Sequence, residues 1–168
     1  MHRIAVRVAA LGVAILALVA SPAQAQDAQE EAKIKKWLEG YVAALNAKDL
    51  KALGSFYDEQ ATIYEGGSID NGWASYRDHH LGPELKEFQN LQFALVDVTP
   101  HVPEKGAKVA WVTATYTLKA KMKDRDIDSA GLETMVLVKD KDGSWKIRHS
   151  HTSSRRRPAP QAPTQAKP

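Results

Sequence analysis

The spacing of apolar residues changes once along this sequence, from a helical period to an alternating one. Before Asn90 the apolar side chains recur every three to four residues, which places them on one face of a helix. After Asn90 they alternate with polar residues, which is the pattern of a strand with one buried face. Helices followed by consecutive hairpins predict an α+β fold, with helices covering one face of a curved antiparallel sheet.

Three helices are predicted in the first half of the chain. The first carries one apolar stripe over residues 34–45, and the second is short and begins after Asp49, a typical N-cap residue. The third spans residues 73–81 and ends at Gly82-Pro83. A short strand at residues 61–65 is expected between the second helix and the third.

The second half is predicted to form strands at residues 91–98, 107–122, 132–139 and 144–152. Residues 123–131 are rich in charge and are expected to be a loop, and residues 140–143 form a tight turn. Strict alternation places four residues on one face of the last strand: Trp145, Ile147, His149 and His151. Both histidines are therefore expected to point inward.

The orientation of Glu133 depends on the register of the last hairpin. If Lys139 pairs with Ser144 across the turn, Glu133 points outward. A loop that differs by one residue reverses this orientation, because a slip of one residue turns every side chain to the other face.

The two ends of the chain differ from its middle. Residues 1–25 combine a basic start, an apolar run and an A-x-A motif, the three parts of a secretory signal peptide, with cleavage expected between Ala25 and Gln26. The apolar run is shorter than the roughly 20 residues of a membrane span. Residues 154–168 are rich in arginine and proline and are expected to be a disordered tail. We therefore expect a periplasmic or secreted domain at residues 26–153, without a membrane span after cleavage.

Composition excludes several kinds of chemistry. The chain has no cysteine, which excludes disulfides, thiolate metal sites and cysteine nucleophiles. It has 23 basic and 20 acidic residues, and six of the basic residues lie in the two ends, so the middle is slightly acidic. Nucleic acid is therefore not an expected partner.

Two segments make the chain recognisable. Residues 41–50 (YVAALNAKDL) and 56–64 (FYDEQATIY) resemble the opening of the nuclear transport factor 2-like superfamily. Residues 143–153 (GSWKIRHSHTS) resemble the end of its SnoaL-like branch and of the calcium/calmodulin-dependent kinase association domain. The resemblance implies a cone-shaped α+β barrel that encloses a deep pocket, and a homodimer formed through the outer face of the sheet.

Ketosteroid isomerases belong to the same superfamily, and the resemblance to them implies a set of catalytic residues. Tyr41 matches their oxyanion-donating tyrosine, and Glu65 falls where they have a basic aspartate. Glu133 falls only roughly where they have a second, protonated acid. The base here is glutamate rather than aspartate, one methylene longer, which would shift the carboxylate relative to the substrate.

Further pocket residues follow from the apolar stripes and the strand faces. His149 is a candidate acid or base, and the expected pocket lining comprises Trp37, Tyr57, Tyr64, Trp73, Tyr76, His80, Trp145 and His151. These histidines could instead form hydrogen bonds at the mouth of the pocket. No metal ion and no cofactor are expected.

Three functions remain open from the sequence. The first is binding of a small, mainly apolar or carbonyl-containing molecule. The second is an isomerase, cyclase or hydrolase-like enzyme that needs no cofactor and uses tyrosine, glutamate and histidine as acids and bases. The third is a homo-oligomerisation module.

Overall fold

The computed structural model describes residues 22–156, in which one long helix and several short ones precede a six-stranded sheet. The elements in chain order are α1 (Pro22–Asn46), α2 (Leu50–Gly54), β1 (Tyr57–Glu65), β2 (Ser68–Asn71), α3 (Trp73–Ser75), a π-helical turn (Tyr76–Leu81), α4 (Gly82–Glu87), β3 (Phe88–His101), β4 (Val109–Met122), β5 (Arg125–Lys139) and β6 (Trp145–Arg156). The predicted α+β class is confirmed.

The helices follow the apolar stripes of the sequence. Ile34, Leu38 and Leu45 of α1 are buried, and α1 packs against β3. Asp49 caps α2 as predicted, because its Oδ1 accepts a hydrogen bond of 2.9 Å from the backbone N–H of Ala52. The helical part of the fold therefore follows from local pattern and capping.

The sheet is mixed, although an antiparallel one was expected. The strand order is β2-β1-β6-β5-β4-β3, and β1 pairs with β6 in parallel while all other neighbours are antiparallel. β6 lies between β1 and β5. Its hairpin with β5 makes β6 antiparallel to β5, and in that direction β6 runs parallel to β1. The sheet is curved and does not close into a barrel, because β2 and β3 remain its two edges.

The predicted loop at residues 123–131 is wrong. β4 and β5 form one long hairpin, in which Met122 pairs with Arg125 and only two residues make the turn. Lys123 adopts φ 53°, the left-handed conformation that such a turn requires. Cross-strand pairing with β4 thus overrides the low strand propensity of this charged segment.

A β-bulge at Arg148 reverses which side chains at the end of β6 point to the inner face of the sheet. Leu137 pairs with Ile147, but the next residue pair is Val136 with His149, so Arg148 has no residue opposite it. The extra residue reverses the alternation from this point onward. The inward orientation predicted for His149 and His151 is therefore wrong, and Ser150 is buried instead.

The hairpin between β5 and β6 places Glu133 on the inner face of the sheet. Lys139 pairs with Trp145 rather than with Ser144, which is the alternative register of the sequence analysis. Glu133 is only 6% exposed and is one of the few buried charged residues. The outward orientation that the Lys139–Ser144 pairing implied does not apply.

The core lies between the helices and the inner face of the sheet. Its fully buried side chains are Ile34, Leu38, Leu53, Ile63, Val112, Met135, Leu137 and Ile147. They come from both halves of the chain, so the core forms only when the helices pack on the strands.

The predicted signal peptide and tail lie mostly outside the described residues. Residues 22–25 form the start of α1, whereas residues 1–21 lie outside the described range, as do residues 157–168. β6 continues to Arg156, three residues past the predicted end of the domain. No helix within the described part of the chain is long and apolar enough to cross a membrane.

Candidate active site

A cavity of about 230 Å³ opens between α1, α4 and the inner face of the sheet. Most of its lining residues are apolar or aromatic, although polar atoms contribute at least as much of its surface as apolar ones, and Arg125 also lines it. Its aromatic rings are those of Tyr41, Tyr57, Tyr76, Phe88, Phe93 and Tyr116. Three carboxylates, those of Glu65, Glu84 and Glu133, also line it. An apolar cavity with a few convergent polar groups is the usual form of a small-molecule site.

Two of the carboxylates lie in one row across three neighbouring strands. Glu65 of β1 and Glu133 of β5 both pair with Thr152 of β6, which lies between them. At about 4.8 Å between strands, their Cα atoms are about 10 Å apart. The cavity therefore has a carboxyl group on each side of Thr152.

Burial favours the protonated form of Glu133 near neutral pH. Burial raises its pKa to about 8, and the charge of Glu65 contributes, although a hydrogen bond of 2.8 Å from Thr152 Oγ1 to its Oε2 acts in the opposite direction. A protonated carboxyl can donate a hydrogen bond, which a carboxylate cannot. Glu133 is thus available as a donor to an oxygen atom in the cavity.

Glu65 is held by a tyrosine. The hydroxyl of Tyr76 donates a hydrogen bond of 2.6 Å to its Oε2. Burial and the charge of Glu65 both raise the pKa of Tyr76 well above its usual value, so this hydroxyl keeps its proton. Within the described residues, Oε1 of Glu65 accepts no further hydrogen bond, which makes it the candidate atom for contact with a ligand in the cavity.

Tyr41 and Tyr57 form a second polar pair. Their hydroxyl oxygens are 3.1 Å apart, and both residues are buried. Burial raises the pKa of each, and the charge of Glu133 adds to the shift of Tyr41, which places these two groups near one another. Both tyrosines are therefore hydroxyl donors at neutral pH.

Tyr76 belongs to a π-helical turn that is followed by Gly82, a position with room only for glycine. The backbone N–H of Gly82 bonds to the carbonyl of Arg77, five residues earlier. A Cβ atom at position 82 would overlap that carbonyl oxygen. π-Helical turns are rare and occur frequently at functional sites.

The structure brings together some of the predicted site residues and separates others. Tyr41, Tyr57, Glu65 and Tyr76 line the cavity, and Glu133 joins them. Trp37, Trp73 and Trp145 are not part of its wall: Trp37 contacts Phe56, Trp73 stacks on Tyr57 at 4.7 Å, and Trp145 is a buried core residue. His80 lies behind Tyr76, with its ring 5.3 Å from the tyrosine ring.

Three predicted residues lie on the opposite face of the sheet. Tyr64 is 39% exposed, and its ring lies 5.0 Å from that of His149 and 6.0 Å from that of His151. The bulge at Arg148 places the two histidines there, so none of the three residues lines the cavity.

Sequence reasoning missed Glu84 and Tyr116. Tyr116 lies on the inner face of β4 with Val112 and Ala114, and alternation alone does not show which face of a strand points inward. Glu84 follows Pro83 at the start of α4, and no local pattern marks it. Burial and the charge of Glu65 raise the pKa of Glu84. Among the described residues, no group of three or more histidines or acids is arranged to hold a metal ion.

Comparisons with solved structures show the same fold. A candidate ketosteroid isomerase from Shewanella frigidimarina is 27% identical, with 69% of this chain and 90% of that chain covered at a TM-score of 0.60. A nuclear transport factor 2-like superfamily protein from Salmonella enterica is 16% identical, with 83% and 99% covered at 0.68. The C. elegans calcium/calmodulin-dependent kinase II association domain is 18% identical, with 77% and 98% covered at 0.61.

Sequence comparison gives the family. No curated protein matches the chain. A profile described as a SnoaL-like domain matches residues 34–156, which include all six strands and about half of α1. The resemblance inferred from the two sequence segments is confirmed, and the chain belongs to the SnoaL-like domain family.

Proposed function

We propose that the cavity binds a small, largely apolar carbonyl compound and moves a proton on the carbon next to its carbonyl group. The observation that carries this proposal is the presence of a neutral, buried Glu133 in the same cavity as Glu65. Enolisation requires a base that removes the proton and a neutral group that donates a hydrogen bond to the carbonyl oxygen. The similarity to a candidate ketosteroid isomerase supports the same chemistry.

One residue acts on the C–H bond of the substrate, and the others act on its carbonyl oxygen. Glu65 takes the proton as the C–H bond breaks. The electron pair of that bond forms a C=C bond to the carbonyl carbon, and the π pair of the carbonyl group moves onto its oxygen. Tyr41 and Glu133 donate hydrogen bonds to that oxygen, and Tyr57 supports Tyr41 through their shared hydrogen bond. Return of the proton from Glu65 to another carbon gives an isomer, and return to the same carbon gives exchange.

The volume limits the substrate. The usual range for ligand pockets is about 300–1,000 Å³, and this cavity of about 230 Å³ lies below it. We therefore infer a compact substrate with one or two rings.

Deuterium exchange tests the proposal without knowledge of the natural substrate. Cyclohexenone isomers, 1-indanone and 2-tetralone are incubated with the protein in D₂O, and loss of the α-proton is followed by NMR. We expect exchange with at least one ketone, its loss in Glu65→Gln, and about a hundredfold slower rate in Tyr41→Phe. Glu59→Gln is the matched control, because Glu59 is exposed on the same strand as Glu65.

The outcome separates enzyme from binding protein. If every ketone exchanges at the buffer rate, the catalytic proposal is wrong. Fluorescence titration with 2-naphthol, an aromatic enol, then shows whether the cavity still binds such compounds and serves as a binding site alone.

A second proposal concerns the outer face of the sheet, where Trp111 is 41% and Leu132 is 63% exposed. Three cross-strand rows on this face contain no Asp, Glu, Lys or Arg: His101–Trp111–Val136–His149–Thr62, Thr99–Thr113–Thr134–His151–Tyr64 and Val96–Thr115–Leu132–Ser153. Two copies that join through these three rows meet no like charges there. We propose a homodimer through it, as the resemblance implied.

Light scattering tests the dimer. Trp111→Lys and Leu132→Lys should each give a monomer, because a buried lysine without a partner is costly. Ala32→Lys is the control, because Ala32 is exposed on α1 and not on the sheet. A monomeric wild-type protein, or dimers in both outer-face variants, would refute the proposal.

We also propose that the protein is exported, on the strength of the signal-peptide pattern in residues 1–25. Mass spectrometry of protein from the periplasm or medium of its source should find a chain that begins at Gln26. An intact N-terminus in the cytoplasmic fraction alone would contradict export.

A further inference from the structure

The π-helical turn carries two side chains that each reach an acidic group on the β1–β2 hairpin. Tyr76 donates to Glu65 at the end of β1, and His80 Nδ1 lies 2.9 Å from Oδ2 of Asp70 on β2. The two rings are in edge-to-face contact at 5.3 Å. Tyr76 and His80 therefore contact one another while each reaches a different strand of the hairpin.

His80 also faces α4. Its Nε2 is 3.8 Å from Oε1 of Glu84, so the imidazole lies between a carboxylate of β2 and one of α4. Asp70 is buried, and its other oxygen accepts a hydrogen bond of 3.2 Å from Ser75 Oγ. These contacts connect the hairpin, the π-helical turn and α4 behind the wall of the cavity.

The groups around His80 favour its charged form. Burial lowers the pKa of His80, but the hydrogen bond with Asp70 and the charges of Glu65, Glu84 and Asp70 outweigh it and leave the pKa above its usual value. Tyr76, which keeps its proton, is the remaining titratable group in contact with the ring. The protonated ring donates its Nδ1–H to Asp70 and carries a second N–H at Nε2, which lies 3.8 Å from Oε1 of Glu84. Deprotonation removes one of these two donors and the positive charge.

We propose that His80 is a positioning residue, whose imidazolium joins Asp70 to Glu84 and so holds the Tyr76 hydroxyl against Glu65. This inference rests on the proposed function, because Glu65 is the base of that reaction. His80 is not part of the cavity wall, so it acts on the base through Tyr76. The site then loses its alignment when the pH rises through the pKa of His80.

The first test is an NMR titration that needs no substrate. The protein has five tyrosines, and labelling them with ¹³C at Cζ gives one NMR signal for each. The signal of Tyr76 is assigned as the one that is missing from the spectrum of Tyr76→Phe. We expect this signal to shift with pH in step with the imidazole signal of His80. The step should disappear in His80→Gln and persist in His79→Gln, the exposed neighbouring histidine.

Either of two results would overturn the proposal: a Tyr76 signal that is the same in His80→Gln and wild type, or a pH step that survives the substitution. If His80→Gln fails to fold, Asp70→Asn replaces it. That variant keeps the histidine and should move the Tyr76 step to lower pH, because the acceptor of Nδ1–H loses its charge. An unmoved step counts against the proposal.

The second test is a double-mutant cycle on the exchange reaction. His80→Gln should slow exchange about tenfold in the wild-type background and have no further effect in Tyr76→Phe. Equal losses in both backgrounds would show that His80 does not act through Tyr76. If the wild type catalyses no exchange, the proposed function fails, whereas the NMR titration still decides the role of His80.

Discussion

Replacement of Glu133 by glutamine should make the protein more stable at neutral pH and leave its stability in acid almost unchanged. The wild-type side chain is 6% exposed, and burial raises its pKa from the usual 4.5 to about 8. The unfolded chain therefore ionises at a lower pH than the folded one. In the pH range where only the unfolded state ionises, this ionisation favours unfolding.

The magnitude follows from the two pKa values. Below pH 4.5 the carboxyl is protonated in both states and carries no penalty. Between pH 4.5 and pH 7 only the unfolded state releases the proton. Each pH unit in this range lowers the free energy of unfolding by about 1.36 kcal/mol, so the total loss at pH 7 is about 3 kcal/mol. The loss ends near pH 8, where the folded state ionises as well. Glutamine cannot ionise and keeps an oxygen that accepts the hydrogen bond from Thr152.

Urea unfolding followed by tryptophan fluorescence measures this effect at pH 4, 5.5 and 7. The difference in unfolding free energy between Glu133→Gln and wild type should grow by about 3 kcal/mol from pH 4 to pH 7. Glu59→Gln, at an exposed position, should show no such growth. A difference that stays constant with pH would show that Glu133 is not held protonated, and the assignment of a neutral donor in the cavity would fail.

Three further substitutions test the scaffold of the site. Gly82→Ala should destabilise the protein by about 1–3 kcal/mol and remove the π-helical turn, because the new Cβ overlaps the carbonyl of Arg77; urea unfolding and amide exchange of the turn measure this. Asp49→Ala should cost about 1 kcal/mol through loss of the cap on Ala52, whereas Asp49→Asn should keep most of the stability. Leu38→Ala should cost about 2–5 kcal/mol in the same assay, because Leu38 is fully buried; a cost below 1 kcal/mol would contradict its place in the core.

The sequence alone determined the features that depend on local pattern. The stripe of α1 and the cap at Asp49 involve residues within a few positions of one another, and both predictions are confirmed. The change from helical to alternating spacing predicted the α+β class, because burial of one face imposes a different period on helices and strands. The two family segments indicated the fold and directed attention to Tyr41 and Glu65.

Only the tertiary structure decided which side chains face the cavity. Side chains in a strand alternate with a period of two, so one extra residue at Arg148 moved His149 and His151 to the outer face. The pairing of Lys139 with Trp145 likewise turned Glu133 inward. The bulge has no local signal, because it depends on how β6 fits between β1 and β5. The register depends on the turn between β5 and β6, and the sequence pattern left the length of that turn open. The chemistry of the site therefore follows from the pairing of strands that are far apart in the chain.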